Sequence, residues 1–104
     1  MPTRLGLTLL LVLVSRTPVL QGAEVDYARQ IKPILQAHCY RCHGVRKQEA
    51  GLRLDTGQAA RRGGDDGPVL QPGRASASSL VARVSANAGD KRMPPEGTRL
   101  TARE

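Results

Sequence analysis

The stretch Cys39-Tyr40-Arg41-Cys42-His43 decides how the rest of the chain is interpreted. Two cysteines separated by two residues and followed directly by a histidine are typical of the attachment site of a c-type haem. In such a site each sulfur bonds to one vinyl group of the porphyrin, and the next residue's imidazole binds the iron. We therefore predict that haem c is attached through Cys39 and Cys42, with His43 as the proximal iron ligand.

The same residues permit two other interpretations. Paired cysteines at this spacing occur in thioredoxin-like redox sites, but those need alternating strands and helices, which this sequence does not indicate. A zinc site would combine the cysteines with His38 and His43, although four ligands within six consecutive residues can hardly surround a tetrahedral ion. Because His38 precedes a tethered cysteine, we expect it to form a hydrogen bond or lie on the surface.

The first 23 residues form a predicted signal peptide. A short basic lead ends at Arg4, and a mostly apolar run extends over 5–14, followed by small residues near position 23. This run is too short to span a bilayer. We therefore predict export, for example to the periplasm, with an uncleaved membrane anchor as the alternative and no other membrane contact. Residues 24–104 are the predicted mature domain.

The composition indicates one small domain with a weak apolar core. The chain has 104 residues, with two tyrosines and neither phenylalanine nor tryptophan. So few large apolar side chains would form a poor core by themselves, whereas a buried porphyrin would supply apolar bulk. The net charge is +7, but the basic residues are scattered and no aromatic platform accompanies them. We therefore predict no nucleic-acid partner, and a modest role of the charge in steering an acidic redox partner.

Helical patterns occur on both sides of the cysteines. The apolar residues of 25–38 recur at helical spacing, Asp26 is a suitable N-cap, and Pro33 predicts a kink or a restart of the helix. A helical turn is predicted over 58–62, and a second helix over 76–86 that Ser76 or Ser78 could cap. Loops rich in glycine and proline join these segments. The pattern predicts an all-α fold with long irregular loops.

A second candidate iron ligand lies near the end of the chain. Met93 is the only methionine after the predicted signal peptide, and Pro94 and Pro95 fix the backbone beside it. A rigid loop presenting one thioether suits a distal iron ligand, and His/Met ligation raises the reduction potential relative to two histidines. The alternative is a methionine that fills a gap between apolar groups. We predict that Met93 is the distal ligand.

Together, the haem motif and Met93-Pro94-Pro95 resemble the planctomycete-type cytochrome c domain, a variant of the small class I cytochromes c. The similarity runs from about residue 25 to residue 104. It includes Ile31-Lys32-Pro33-Ile34-Leu35, Gly51-Leu52-Arg53-Leu54-Asp55, Gly63-Gly64-Asp65, Pro72-Gly73, Ser79-Leu80 and Arg92-Met93-Pro94-Pro95. The resemblance implies a small cytochrome c-like haem fold. It also implies the roles already given to the two cysteines, His43 and Met93.

The resemblance also predicts a C-terminal helix, of which the sequence contains only the first residues. Class I cytochromes c end in a helix that packs across the N-terminal one. Here Thr101 and Glu104 form a predicted capping box, which announces a helix, at the last printed residues. We therefore expect a C-terminally incomplete domain that lacks this helix. Because family members often stand at the front of larger proteins, the expected partner is a downstream domain or a separate redox protein.

These observations predict an electron-transfer domain in which one haem cycles between Fe(III) and Fe(II). No set of residues resembles a general acid, base or nucleophile, so we predict no enzymatic activity of its own. The alternative is a haem sensor or peroxidase-like module whose sixth iron position is open.

Two finer predictions concern the haem surroundings. One of Arg53, Arg61, Arg62 and Arg74 pairs with a haem propionate, and a proline carbonyl near Pro68 or Pro72 accepts the Nδ1 proton of His43.

Overall fold

The computed structural model describes residues 1, 14–19, 22–87, 89 and 91–104. Residues 2–13, 20 and 21 of the predicted signal peptide therefore lie outside the described residues. The described part contains three short α-helices, shorter helical turns and no β-strand, in agreement with the all-α prediction. Within that part, no helix is both long enough and apolar enough to cross a membrane.

A π-helical turn and an α-helix lead into the cysteine motif. The π-helical turn spans Tyr27–Ile31, and helix α1 spans Lys32–His38. The carboxylate of Asp26 accepts a hydrogen bond from the backbone N–H of Arg29 (3.1 Å), which confirms the predicted N-cap. Pro33 lies in the first turn of α1, where its missing N–H removes no helical hydrogen bond. The predicted restart of the helix is thereby confirmed.

Helix α2 spans Gly57–Arg62, close to the predicted turn over 58–62. The hydroxyl of Thr56 caps it by accepting a hydrogen bond from the backbone N–H of Ala59 (3.1 Å). Gly63 ends the helix at a φ of 81°, in the left-handed region that favours glycine. Both ends of α2 are therefore determined by residues adjacent to it in the sequence.

Helix α3 spans Ser79–Ser85 and begins later than the prediction of 76–86. A 3₁₀ turn, Ala75–Ala77, occupies the segment before it. Ser78 is the N-cap residue, but its hydroxyl forms no capping bond and instead accepts a hydrogen bond from the backbone N–H of Gln71 (2.8 Å). The predicted start at Ser76 was wrong because Ser76 belongs to the 3₁₀ turn, whereas Ser78, the other predicted cap, does occupy the N-cap position but without a capping hydrogen bond.

The apolar core is small, as the composition predicted. Among the described residues, the buried apolar ones are Leu54, Ala59 and Ala60. No Cα atom of α1, α2 or α3 lies within 8 Å of a Cα atom in another of these helices. Helices that pack directly have axes only about 8–10 Å apart. The three helices are thus separated at their centre, and apolar side chains between them line a cavity.

Candidate functional site

The cysteine–histidine motif forms a tight turn at the end of α1. The backbone N–H of Cys39 donates to the carbonyl oxygen of Leu35 (2.8 Å) and so continues the helix. The N–H groups of Cys42 and His43 both donate to the carbonyl oxygen of Cys39, at 3.1 and 2.8 Å. The turn therefore holds both thiols and the imidazole in one short segment, as the motif predicted.

The chain folds back on this turn immediately after the histidine. Gly44 is buried, and a Cβ atom there would collide with the carbonyl oxygen of Tyr40. The N–H of Gly44 donates to the carbonyl oxygen of Lys47 (2.8 Å), and the N–H of Glu49 donates to that of Cys42 (2.9 Å). A glycine is therefore required where the loop passes close to the motif.

The imidazole of His43 has a defined partner on one side. Its Nδ1 lies 3.3 Å from the carbonyl oxygen of Leu52. A proton on Nδ1 can be donated to this oxygen, which leaves the lone pair of Nε2 available for a metal ion. The predicted acceptor, a proline carbonyl near Pro68 or Pro72, was wrong. Leu52 takes that place because the N–H of Leu54 bonds to the carbonyl oxygen of His43 (2.9 Å) and holds this segment alongside.

Sequence reasoning missed Leu52 because a backbone carbonyl has no side-chain signal. The alternation of apolar and polar residues over 51–55 was the available sign that this segment lies against the interior. Leu54, from the same segment, is only 3% exposed and is the most buried residue of the apolar core.

The two thiols are free and half-buried. Burial raises the pKa of the Cys39 thiol above its ordinary value. Redox-active cysteines instead have a lowered pKa that stabilises the thiolate, so this environment does not favour the thioredoxin-like interpretation. The zinc interpretation is not supported either, since no three His, Cys, Asp or Glu side chains of the described residues converge on a possible metal position.

An apolar cavity of about 430 Å³ lies beside the motif. Leu35 and Leu54 belong to its wall, and their backbones bond to Cys39 and His43. Its volume falls within the range of about 300–1,000 Å³ that is usual for cofactor sites. The full lining comprises Tyr27, Ile31, Leu35, Leu54, Gly57, Ala60, Arg61, Leu70 and Leu80. Cys39, Cys42 and His43 do not belong to this lining. The two thiols and the oriented imidazole on one turn fit a covalently attached haem, and backbone hydrogen bonds join that turn to Leu35 and Leu54 of the cavity wall.

Met93 is attached to helix α3. Its backbone N–H donates to the carbonyl oxygen of Arg83 (2.9 Å), and the residue is half-buried. Leu80, one turn before Arg83 in α3, lines the cavity. Among the described residues, Met93 is not part of the lining. One backbone hydrogen bond therefore joins Met93 to the helix that borders the cavity, and the sulfur of Met93 is not part of the cavity wall. Its role as a distal ligand stays a prediction.

Arg53 and Asp55 form a bidentate ion pair near the motif. The two hydrogen bonds measure 2.9 Å from Nε to Oδ1 and 2.7 Å from Nη2 to Oδ2. They are the main reason why the pKa of Asp55 lies below its usual value. The hydroxyl of Tyr40 donates to the carbonyl oxygen of Asp55 (3.5 Å) and links the pair to the motif. Since the charge of Arg53 already has a partner, Arg53 is a weak candidate for a propionate ligand.

His38 forms the hydrogen bond expected of it. Its Nε2 lies 3.4 Å from Oε1 of Glu104, and its side chain is only 13% exposed. Oε2 of Glu104 accepts from the N–H of Thr101 (2.8 Å), and Oγ1 of Thr101 accepts from the N–H of Glu104 (3.3 Å). The hydrogen bond from the Thr101 backbone is the main cause of a lowered pKa of Glu104. The predicted capping box therefore forms, and it contacts the residue before Cys39.

A model of one protein family, described as Planctomycete cytochrome C, matches residues 39–97. The match covers more than half of the 104 residues. It begins at Cys39 and includes Cys42, His43 and Met93. No curated protein and no solved structure matches the chain.

Proposed function

This chain belongs to the planctomycete cytochrome C family, and from that premise we propose that it carries one covalently attached haem c and transfers single electrons. The observation that supports this most directly is the contact between His43 Nδ1 and the carbonyl oxygen of Leu52 (3.3 Å). It orients the imidazole on the same turn as both thiols and leaves Nε2 available for iron.

Each residue of the motif has a separate task in this proposal. Cys39 and Cys42 form the thioether bonds, and Nε2 of His43 is the proximal ligand. A haem held by these residues would supply one-electron chemistry through its iron. Apolar side chains next to the motif, such as Leu54, would exclude water from it, and a low dielectric would disfavour the more highly charged ferric state. The chain thus attaches and orients the cofactor and tunes its potential.

We propose Met93 as the distal ligand. It is half-buried and its backbone is tied to Arg83 on α3, the helix whose Leu80 lines the cavity. A second candidate function, in which Met93 does not bind the iron, is a haem sensor or peroxidase-like module with an open sixth position. Electron transfer is the function we favour, because it accounts for the single methionine between residues 24 and 104.

We also propose that the domain acts after export and without catalysis of its own. Its partner is a separate redox protein or a downstream domain of a larger protein. Membrane and nucleic-acid partners have no place in this proposal. Residues 24–104 hold 14 Lys and Arg against 9 Asp and Glu, a net charge of +5, and this basic balance would speed the approach of an acidic partner at low salt.

Haem attachment can be tested on protein exported from cells with active haem-attachment machinery. Intact-mass analysis should show the polypeptide plus one haem, and the pyridine haemochrome spectrum should indicate two thioether bonds. Cys39→Ala or Cys42→Ala should give the spectrum of a single thioether, and the double variant should lose haem on acid–acetone extraction. His38→Ala is the matched control and should retain both bonds. A bare polypeptide mass for the unmodified protein would contradict the proposal.

The distal position needs a separate experiment. The ferric protein should show the weak long-wavelength absorption band of Fe–S(Met) ligation, and the ferrous protein should not bind carbon monoxide. Met93→Leu should abolish the band and open the site to carbon monoxide, while haem attachment is unchanged. If the unmodified protein lacks the band and binds carbon monoxide, the sensor or peroxidase-like function replaces electron transfer.

A further inference from the structure

Gly64 packs against the segment that orients the imidazole of His43. A Cβ atom at Gly64 would lie 2.5 Å from the carbonyl oxygen of Ala50 and 3.3 Å from Cβ of Leu52, and the first distance is much shorter than van der Waals contact. The φ of Gly64 is not positive, so it is the close contact that requires glycine here. The carbonyl oxygen of the same Leu52 lies 3.3 Å from Nδ1 of His43.

The glycine loop, residues 63–67, directly follows α2 and is held by backbone hydrogen bonds. Gly64 and Gly67 each donate to the carbonyl oxygen of the other, at 3.1 and 3.0 Å. The N–H of Asp65 donates to the carbonyl oxygen of Ala50 (2.8 Å). Both a hydrogen bond and a close packing contact therefore join the glycine loop to the turn at Ala50.

Ala50 has a backbone conformation that alanine rarely adopts. Its φ of 54° and ψ of 27° lie in the left-handed region, within the 3₁₀ turn Glu49–Gly51. A strained conformation of this kind persists only where the surrounding structure fixes it. The side chain of Ala50 is exposed, so the bond from Asp65 and the bond from the N–H of Leu52 to the carbonyl oxygen of Glu49 (3.1 Å) fix this turn. The direction of the Leu52 carbonyl depends on this turn.

We infer that Gly64 is a positioning residue for the proximal histidine, which keeps the Leu52 carbonyl oxygen opposite Nδ1 of His43 and thereby lowers the reduction potential of the iron. This inference rests on the proposed function, in which Nε2 of His43 binds the iron. A hydrogen bond donated by Nδ1 raises the basicity of a ligating imidazole. A more basic ligand favours ferric over ferrous iron, because the ferric ion carries more positive charge. Displacement of Leu52 should therefore raise the potential.

The test compares Gly64→Ala with Gly73→Ala in the haem-loaded protein. A Cβ atom at Gly73 would meet nothing within 4 Å, but the φ of 73° makes alanine strained there. Both variants should lose stability in urea, whereas only Gly64→Ala should displace Leu52. We expect the midpoint potential of Gly64→Ala to rise by about 59 mV, a tenfold change in the ferrous-to-ferric ratio. The potential of Gly73→Ala should equal that of the unmodified protein, so lost stability alone would not produce the shift.

The Nδ1 proton of His43 provides a second readout, by NMR of the ferrous protein. It should exchange with solvent faster in Gly64→Ala than in Gly73→Ala. The unmodified protein decides the question if Gly64→Ala accumulates without haem. There, the amide proton of Asp65 and the Nδ1 proton should have the same opening free energy in native-state hydrogen exchange, because one opening of the glycine loop releases both.

The role of Gly64 and the proposed function can fail separately. Equal potentials in the two haem-loaded variants, or a much lower opening free energy for the Asp65 amide than for the Nδ1 proton, would overturn the role of Gly64. The proposed function would then remain intact. Absence of haem from the unmodified protein would overturn both.

Discussion

The Nδ1 atom of His43 lies 3.3 Å from the carbonyl oxygen of Leu52, nine residues farther along the chain. The acceptor is a backbone atom, so the orientation of the imidazole depends on the course of the chain rather than on another side chain. The bond from the N–H of Leu54 to the carbonyl oxygen of His43 (2.9 Å) holds the same two segments together. Substitutions that displace either segment should therefore disturb the histidine without replacing it.

Gly44→Ala should disturb the motif directly. The added Cβ atom would collide with the carbonyl oxygen of Tyr40, and both are backbone positions that cannot rotate away. Overpacking of this kind destabilises proteins by about 1–3 kcal/mol. Denaturant unfolding and Soret circular dichroism of the haem-loaded protein measure the effect. Val45→Ala is the neighbouring control, because Val45 is 71% exposed and the change should stay within about 0.5 kcal/mol. Equal stability of the two variants would contradict the prediction.

Leu54→Ala should cause the largest loss of stability among single apolar truncations in the described part. Leu54 is 3% exposed, lines the cavity and bonds to His43 through its backbone. Truncation of a buried leucine costs about 2–5 kcal/mol through lost burial and the space left behind. Thermal and urea unfolding of the haem-loaded protein should show this loss of stability. The control is Val25→Ala, because Val25 is 63% exposed. A loss no larger than that of the Val25 variant would show that Leu54 does not support the site.

Ser78→Ala should destabilise the loop that precedes α3. The Ser78 hydroxyl is buried, accepts from the N–H of Gln71 (2.8 Å) and donates to the carbonyl oxygen of Arg74 (3.1 Å). Alanine would leave both backbone groups without this partner, at a cost of about 1–3 kcal/mol in unfolding free energy. Urea unfolding provides the measurement. Ser79→Ala, at the exposed next position, should change the unfolding free energy little. Similar losses of stability in the two variants would show that the hydrogen bonds of the Ser78 hydroxyl do not stabilise the loop.

Asp55→Asn should remove part of the acid sensitivity of the fold. Hydrogen bonds from Arg53 are the main cause that holds the pKa of Asp55 below its usual value. A lowered native pKa stabilises the fold at a pH above the unfolded pKa of about 3.9. That contribution is lost as the pH falls through the native pKa. Unfolding free energies measured across acidic pH should therefore differ between the two proteins near neutrality and converge in acid.

The control for this titration is Asp66→Asn, at an exposed carboxylate in the loop after α2. It removes the same charge as Asp55→Asn but breaks none of the ion pairs formed by the described residues. Arg53→Gln should reproduce the profile of Asp55→Asn, because either change removes the same pair. If the difference in unfolding free energy between Asp55→Asn and the unmodified protein stays constant with pH, the ion pair of Arg53 and Asp55 does not cause the acid sensitivity.

Several local features could be predicted because their partners are three or four residues apart. The cap at Asp26 and the capping box of Thr101 and Glu104 are of this kind, as is the short helix α2. The start of α3 could not be predicted in the same way. A competing hydrogen bond joins Ser78 to Gln71, seven residues earlier, and the sequence near Ser78 carries no sign of it.

By itself the sequence determined the cysteine–histidine turn, the separate helical segments and the small size of the apolar core. These follow from neighbour spacing and composition. Only the tertiary structure decided that Leu52 rather than a proline faces His43, and that Arg61 alone among four candidate arginines borders the cavity. The physical reason is that both choices depend on which distant segments meet, and that is set by packing around a shared centre rather than by local preference.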